Sequence, residues 1–330
     1  MLGLGCSLAW RPGLSSLFLP PPITIAPMRV LIVGCGYVGL PLGVELVRQG
    51  HTVFGLRRSA AAEVQLRAAG IEPLSGDITQ PATLAALPGE FDWVVNCVAS
   101  GGGDAASYRQ IYLQGTANLL AWLAPHPPKK FVYTSSTSVY GQNDGSAIKE
   151  TSPAEPDAET AQVLVETEKL LLAAHAEKRV PAVILRVAGI YGPGRGYAFK
   201  QFLKNEARIE GDGSRVMNMI HRDDLIGCII AALKSGRPGE IYNAVDDEPV
   251  TQAHFFQWLA ATLGKYPPAS VPEDPAASRK RGVTNKRVSN RKLKMEIGWP
   301  FLYPNFRIGY SAEILTLERA GELQVEPDER

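Results

Sequence analysis

Cysteine is scarce in this chain: 4 of 330 residues, at Cys6, Cys35, Cys97 and Cys228, with no C-x-x-C pair among them. That excludes a disulfide framework and a thiolate metal cage. Scattered thiols of this kind suit a reducing compartment, so the expectation is a cytoplasmic protein. The histidines (His51, His126, His175, His221 and His254) form no H-x-x-x-H pair, and no bound metal is expected. An excess of one charge is also lacking. Lys and Arg number 34 against 33 Asp and Glu, a net charge of +1. Neither nucleic acid nor an anionic membrane surface is expected as a partner, because both need a basic footprint. No run is long and apolar enough to span a bilayer.

The composition is that of an ordinary globular protein, with 45% hydrophobic and 20% charged residues. It excludes a disordered chain. At this length the default is one large α/β domain, or a core domain with a smaller partner. Residues 1–27 stand apart. They carry one charge, Arg11, and five prolines. Nothing basic precedes their apolar stretch, as a secretory leader requires. They read as a disordered extension, with the folded chain beginning at Met28.

From there, short apolar runs alternate with helical stretches. Strands are expected over 29–33, 52–56, 71–74, 91–98, 129–134 and 180–186, with helices over 37–49, 60–69, 81–87, 105–123 and 159–178. Continuous β-branched runs separated by helices predict a doubly wound parallel sheet of the Rossmann type. After Gly192 the regularity breaks, with helices near 222–234 and 252–263 and a strand at 240–244. The expected division is a dinucleotide-binding domain over 28–190. A smaller C-terminal substrate lobe over 191–330 is interleaved with it.

The glycine motif GCGYVG over 34–39 follows a predicted strand and opens a predicted helix. In that context Gly34 permits the tight turn, Gly36 lets the backbone approach a pyrophosphate, and Gly39 packs helix on strand. Cys35, Tyr37 and Val38 complete the loop, and the helix N-terminus offers amides to the phosphates. An acid for a ribose 2′-hydroxyl should end the second strand. The chain has Leu56-Arg57-Arg58 there instead. A guanidinium pair suits a 2′-phosphate, so NADP(H) is expected over NAD(H).

These features, with GDI over 76–78, FVYTSSTSVYG over 131–141, RVAGIYGPG over 186–194 and HRDD over 221–224, resemble the extended short-chain dehydrogenase/reductases. The type is the NAD-dependent epimerase/dehydratase. The helix run QVLVETE over 162–168 resembles that of its atypical YeeZ-like branch. The resemblance spans Met28 to Tyr310. It implies that Asp77 bonds the adenine, that Ile78 flanks the ring, and that Cys97, Val98 and Ala99 line the cofactor. It also puts Ser136 at the catalytic Ser/Thr position. Asp77 fits equally as the N-cap of the next helix, and Ser136 as a hydroxyl ending its strand.

One departure matters. The family's Tyr-x-x-x-Lys pair, in which the ammonium lowers the phenol pKa, is absent: no tyrosine has Lys four residues on. Thr160 and Leu164 fall where the pair should be. Tyr140 and His221 are the remaining proton-transfer candidates, each with a structural role as the alternative. Over 278–294, Arg279, Lys280, Arg281, Lys286, Arg287, Arg291, Lys292 and Lys294 occur with no acid. That run reads either as a solvated face or as a site for anionic groups of a small-molecule substrate. Two functions stay open: an atypical NAD(P)-dependent oxidoreductase or epimerase acting on a carbonyl or sugar-like substrate, and a non-catalytic NAD(P)-binding sensor.

Overall fold

The computed structural model describes residues 26–177, 179–272 and 284–323. The extension read over 1–27 lies outside the described residues apart from Ala26 and Pro27, and so do Arg279, Lys280 and Arg281. Seven strands form the central sheet: β1 Arg29–Val33, β2 Thr52–Arg57, β3 Glu72–Ser75, β4 Trp93–Asn96, β5 Lys130–Ser136, β6 Ala182–Val187 and β7 Ile241–Ala244. Every pairing is parallel, and the spatial order is β7-β6-β5-β4-β1-β2-β3. This is the doubly wound Rossmann arrangement. Its order reverses between β1 and β4, where such sheets open a crevice at their carboxyl edge.

The strand sequences explain why both faces are covered. Along β1, Val30 and Ile32 face one side, joined by Val53, Val95, Val132, Val183 and Leu185. Helix α1 (Gly39–Arg48) covers that side with Leu42 and Leu46. Leu31 and Val33 face the other, with Val94, Phe131, Tyr133 and Ile184. There α2 (Gly115–Leu123) and α3 (Glu159–Ala176) close the layer with Leu119, Leu123, Leu171 and Ala174. Alternation of side chains along each strand thus feeds two cores from one set of apolar runs.

The helix expected over 105–123 is broken in three. A short turn Ala105–Tyr108 passes into a π-helical segment Arg109–Gln114 before α2 begins. Such wide turns are typical of functional sites. Here the segment carries Tyr112, whose hydroxyl accepts from the Ser100 amide at 3.1 Å.

Beyond Gly192 the chain returns to the sheet through β7, so the C-terminal part and the Rossmann part share one sheet. Helix α4 (Arg222–Ser235) packs on the first face through Leu225, Ile229 and Leu233. A separate aromatic core joins a helix over Tyr197–Leu203, α5 (Gln252–Thr262) and α6 (Phe306–Arg319). It contains Phe199, Phe202, Phe255, Phe256, Phe306 and Tyr310. The Tyr197–Leu203 and Phe306–Arg319 helices were not expected from the sequence. Among the described residues no helix is long and apolar enough to cross a membrane, and no three potential metal ligands cluster.

Candidate functional site

A cleft of about 640 Å³ runs along the carboxyl edge of the sheet, over the switch point. Its first wall is the glycine loop. Gly34 sits at φ +95°, and a Cβ there would lie 2.9 Å from the Cys97 carbonyl and the Val98 amide. The ends of β1 and β4 can therefore meet only if residue 34 is glycine. A Cβ on Gly39 would lie 2.4 Å from the Gly34 carbonyl. Gly36 differs: nothing lies within 4 Å of its would-be Cβ. That open space faces the cleft, as a cradle for a group laid against the backbone requires.

Gly34, Gly36, Tyr37, Val38, Arg57, Arg58, Asp77 and Ile78 line this half of the cleft, and Cys97, Val98 and Ala99 its floor. Cys35 and Gly39 do not line it. Cys35 is buried, with burial pushing its thiol up to about 12, and its carbonyl accepts a hydrogen bond from the Arg57 guanidinium. Arg58 is exposed at the cleft rim. Asp77 does not cap the next helix; Gln80 holds that position. Its Oδ1 accepts from the Thr79 amide at 2.9 Å and the Thr79 hydroxyl at 2.8 Å, an Asx turn that fixes the carboxylate at the cleft edge.

The second wall collects distant segments. Ser136 ends β5, lines the cleft, and accepts from the Ser138 amide at 3.2 Å. The strand end is anchored from beneath. Ser135 donates to Glu168 Oε1 at 2.6 Å, and Arg186 meets the same carboxylate at 2.6 Å, both charges buried. Thus the RVAGIYGPG arginine and the QVLVETE glutamate form one ion pair under the serine strand. Thr160 is buried and Leu164 lines the cleft, so this stretch of α3 presents an apolar side chain to it.

Tyr140 and His221 lie away from the cleft surface. The Tyr140 side chain is 0% exposed, with its hydroxyl donating to Asn243 Oδ1 at 2.8 Å and the Arg186 guanidinium 4.7 Å from its ring. Burial raises its phenol above the ordinary value, and Arg186 offsets this only in part. His221 is buried and caps α4, its Nδ1 accepting from the Asp223 amide at 3.2 Å. The Tyr303 ring lies 3.8 Å away, centroid to centroid. Asp224 of the same motif accepts from Trp299 Nε1 and from the amides of Leu302 and Tyr303, tying that segment to α4.

Two cleft residues escaped the sequence reading, and a third, Lys286, was read only as one member of the basic run. Arg195 and Arg215 put two more guanidinium groups into the cleft, with Arg195 4.9 Å from the Tyr37 ring of the glycine loop. Lys286 is buried, lines the cleft and donates to the Tyr140 carbonyl. Burial pushes its ammonium down from 10.5 to about 8. Within the basic run, burial alternates: Lys286, Val288 and Asn290 inward, Arg287 and Ser289 outward. The side-chain types do not mark that alternation, since the inward Lys286 and Asn290 are polar. Lys292 and Lys294 instead pair with Glu240 and Asp247.

A glycine-cradled crevice at a Rossmann switch point defines a nucleotide-cofactor protein of the extended short-chain dehydrogenase/reductase class. The chain belongs to the NAD dependent epimerase/dehydratase family, matching it over residues 30–244. It is 29% identical over 286 residues to Protein YeeZ of Escherichia coli, covering 84% of this chain and 97% of that protein. A 3-diazoavenalumate denitrifying reductase from Streptomyces is 26% identical over 310 residues, 87% of this chain and 100% of that one. A solved structure from Methylobacillus flagellatus, described as an NAD-dependent epimerase/dehydratase, is 32% identical, with a TM-score of 0.71 over 88% of this chain and 99% of that one. NAD(P) binding is the family's common property, and the open backbone at Gly36 fits it.

Proposed function

We propose that the protein is an NADP(H)-dependent reductase of a small, anionic carbonyl compound. The observation that carries this reading is one continuous cleft lined by the dinucleotide cradle, by Ser136 and by the guanidinium groups of Arg195 and Arg215. The glycine loop would hold the pyrophosphate and Asp77 the adenine. Arg57 and Arg58 would hold the 2′-phosphate by charge-assisted hydrogen bonds. When bound, the nicotinamide supplies hydride chemistry. Ser136 would donate its hydroxyl hydrogen bond to the substrate carbonyl, polarising it. The guanidinium groups of Arg195 and Arg215 would receive the anionic part of the substrate. The reductase relative supports reduction as the reaction class. Cys35, Cys97 and Cys228 are separate thiols, which suits a cytoplasmic setting.

Leu164 in the cleft wall favours a second reading, a cofactor-binding sensor without turnover. Titration of NADPH and NADH by fluorescence, followed by NADPH oxidation across a carbonyl and nucleotide-sugar panel, separates the two. The reductase reading expects tighter NADPH and turnover of at least one carbonyl. Tight NADPH binding with no turnover anywhere in the panel would leave the sensor.

A further inference from the structure

Resting on the reductase reading, we propose that Lys286 is the proton donor of the reaction, taking the place of the missing tyrosine and lysine. Leu164 occupies the position where the family carries its ammonium. It packs in the same apolar cluster as Tyr140 and Val288. Lys286, two residues before Val288, reaches the Tyr140 carbonyl from the C-terminal lobe. An ammonium is therefore present beside Tyr140, in the same cleft that Leu164 lines.

The surroundings favour a working group over a simple anchor. An ammonium carries three N–H donors. Among the described residues one acceptor is present, the Tyr140 carbonyl, and no carboxylate pairs with Lys286, which is 2% exposed. A buried cation without a counter-ion is costly unless an acceptor is brought to it. Its backbone is held firmly. The Lys286 carbonyl accepts from Asn218 Nδ2 at 2.9 Å, Asn218 Oδ1 accepts from the Val288 amide at 2.9 Å, and Asn285 Oδ1 accepts from the Val216 amide at 3.0 Å. The other titratable and charged groups in the cleft are Arg215, Arg195, Arg57, Arg58, Tyr37, Tyr112, Asp77 and Cys97. Behind Tyr140 lie Arg186, Glu168 and Glu150. The Tyr140 hydroxyl itself is engaged with Asn243.

In the step, the carbonyl carbon gains a hydride from the reduced nicotinamide, which is oxidised. The carbonyl π electrons move to oxygen, which takes a proton as the Lys286 Nζ–H bond breaks. The lysine is left as a neutral amine and regains its proton from water. Reduction should therefore slow as pH rises through about 8.

The test uses the full chain with NADPH and 4-nitrobenzaldehyde, backed by the carbonyl panel, in wild type, Lys286→Met and Lys286→Arg. An arginine keeps the charge but holds its proton. Both variants should lose turnover by roughly 100-fold or more while NADPH affinity stays within about twofold. Full rate in either variant overturns the assignment and leaves the reductase reading standing. Wild type that reduces nothing overturns both. A readout free of turnover is the difference in unfolding stability between wild type and Lys286→Met, followed from pH 7 to pH 10. In the folded protein Lys286 releases its proton near 8, whereas the unfolded chain holds it to about 10.4. Wild type should gain stability relative to the variant as pH rises through that window. A difference that does not change with pH overturns the assignment.

Discussion

On one wall of the cleft, Gly34, Gly36, Arg57 and Arg58 come from neighbouring strand ends near the start of the folded chain. On the other, Ser136, Leu164, Arg215 and Lys286 come from separate segments. The first wall is fixed by local backbone geometry: a positive φ at Gly34, and two approaches that no Cβ could survive. The second is fixed by long-range ties, Glu168 to Arg186 and Ser135, Asn218 to the segment of Lys286, and Asp224 to the segment of Trp299. A wall of local geometry keeps one ligand. A wall of long-range ties depends on residues far apart in the chain, so its reacting groups are the ones that substitution at a distance can disturb.

Substitutions that act on one wall and spare the other test this contrast. Glu168→Ala should have the largest effect. It strands the buried Arg186 charge and should cost about 3–5 kcal/mol in urea unfolding. The variant, if folded, should lose turnover more than NADPH affinity; equal losses of both would show that the walls are not independent. Ser136→Ala should lower kcat by about 100- to 1,000-fold with the NADPH dissociation constant nearly unchanged, read by steady-state assay and fluorescence titration. Unaltered kcat would remove Ser136 from the chemistry.

Gly39→Ala acts on the first wall. The added methyl meets the Gly34 carbonyl, and such overpacking should cost about 1–3 kcal/mol, seen as a lowered melting temperature together with weaker NADPH binding. An unchanged melting temperature would mean that the loop has slack. Arg58→Ala and Arg57→Ala should weaken NADPH by about 1–3 kcal/mol each and leave NADH almost untouched. Parallel losses for both cofactors would show that the pair does not read the 2′-phosphate. Arg57 also donates to the Cys35 carbonyl, so Arg58 gives the cleaner result.

The same contrast explains what was legible in the sequence. Six strands of the sheet and the glycine loop were readable because their causes are local: β-branched runs, and glycines at the strand-to-helix turn. The strand Ile241–Ala244 was read as part of the C-terminal lobe, and its place beside β6 is a long-range pairing. The fates of Tyr140 and His221 were not, since Asn243 and Tyr303, far along the chain, decide them. Asp77 was read as an adenine contact or as the cap of the next helix; Gln80 takes the cap position, and Asp77 forms an Asx turn that the sequence reading did not include. The π-helical segment 109–114 interrupts a stretch whose apolar pattern reads as one helix. For Phe306–Arg319 the signal was present, an Asn305 cap followed by inward Phe306, Tyr310 and Ile314. Lys286 was hidden among like charges, because a count of lysines and arginines takes no account of which face each one occupies.

The most direct test of an NADP(H)-dependent carbonyl reductase is transfer of the label from NADPH deuterated at the nicotinamide C4, followed by mass spectrometry of the products across the carbonyl panel. Separate incubations with each C4 epimer cover both faces of the ring. The expected result is one deuterium on the carbinol carbon of at least one product, from one epimer only, with NADPH outperforming NADH. Cofactor that binds tightly yet keeps its deuterium with every carbonyl would contradict it.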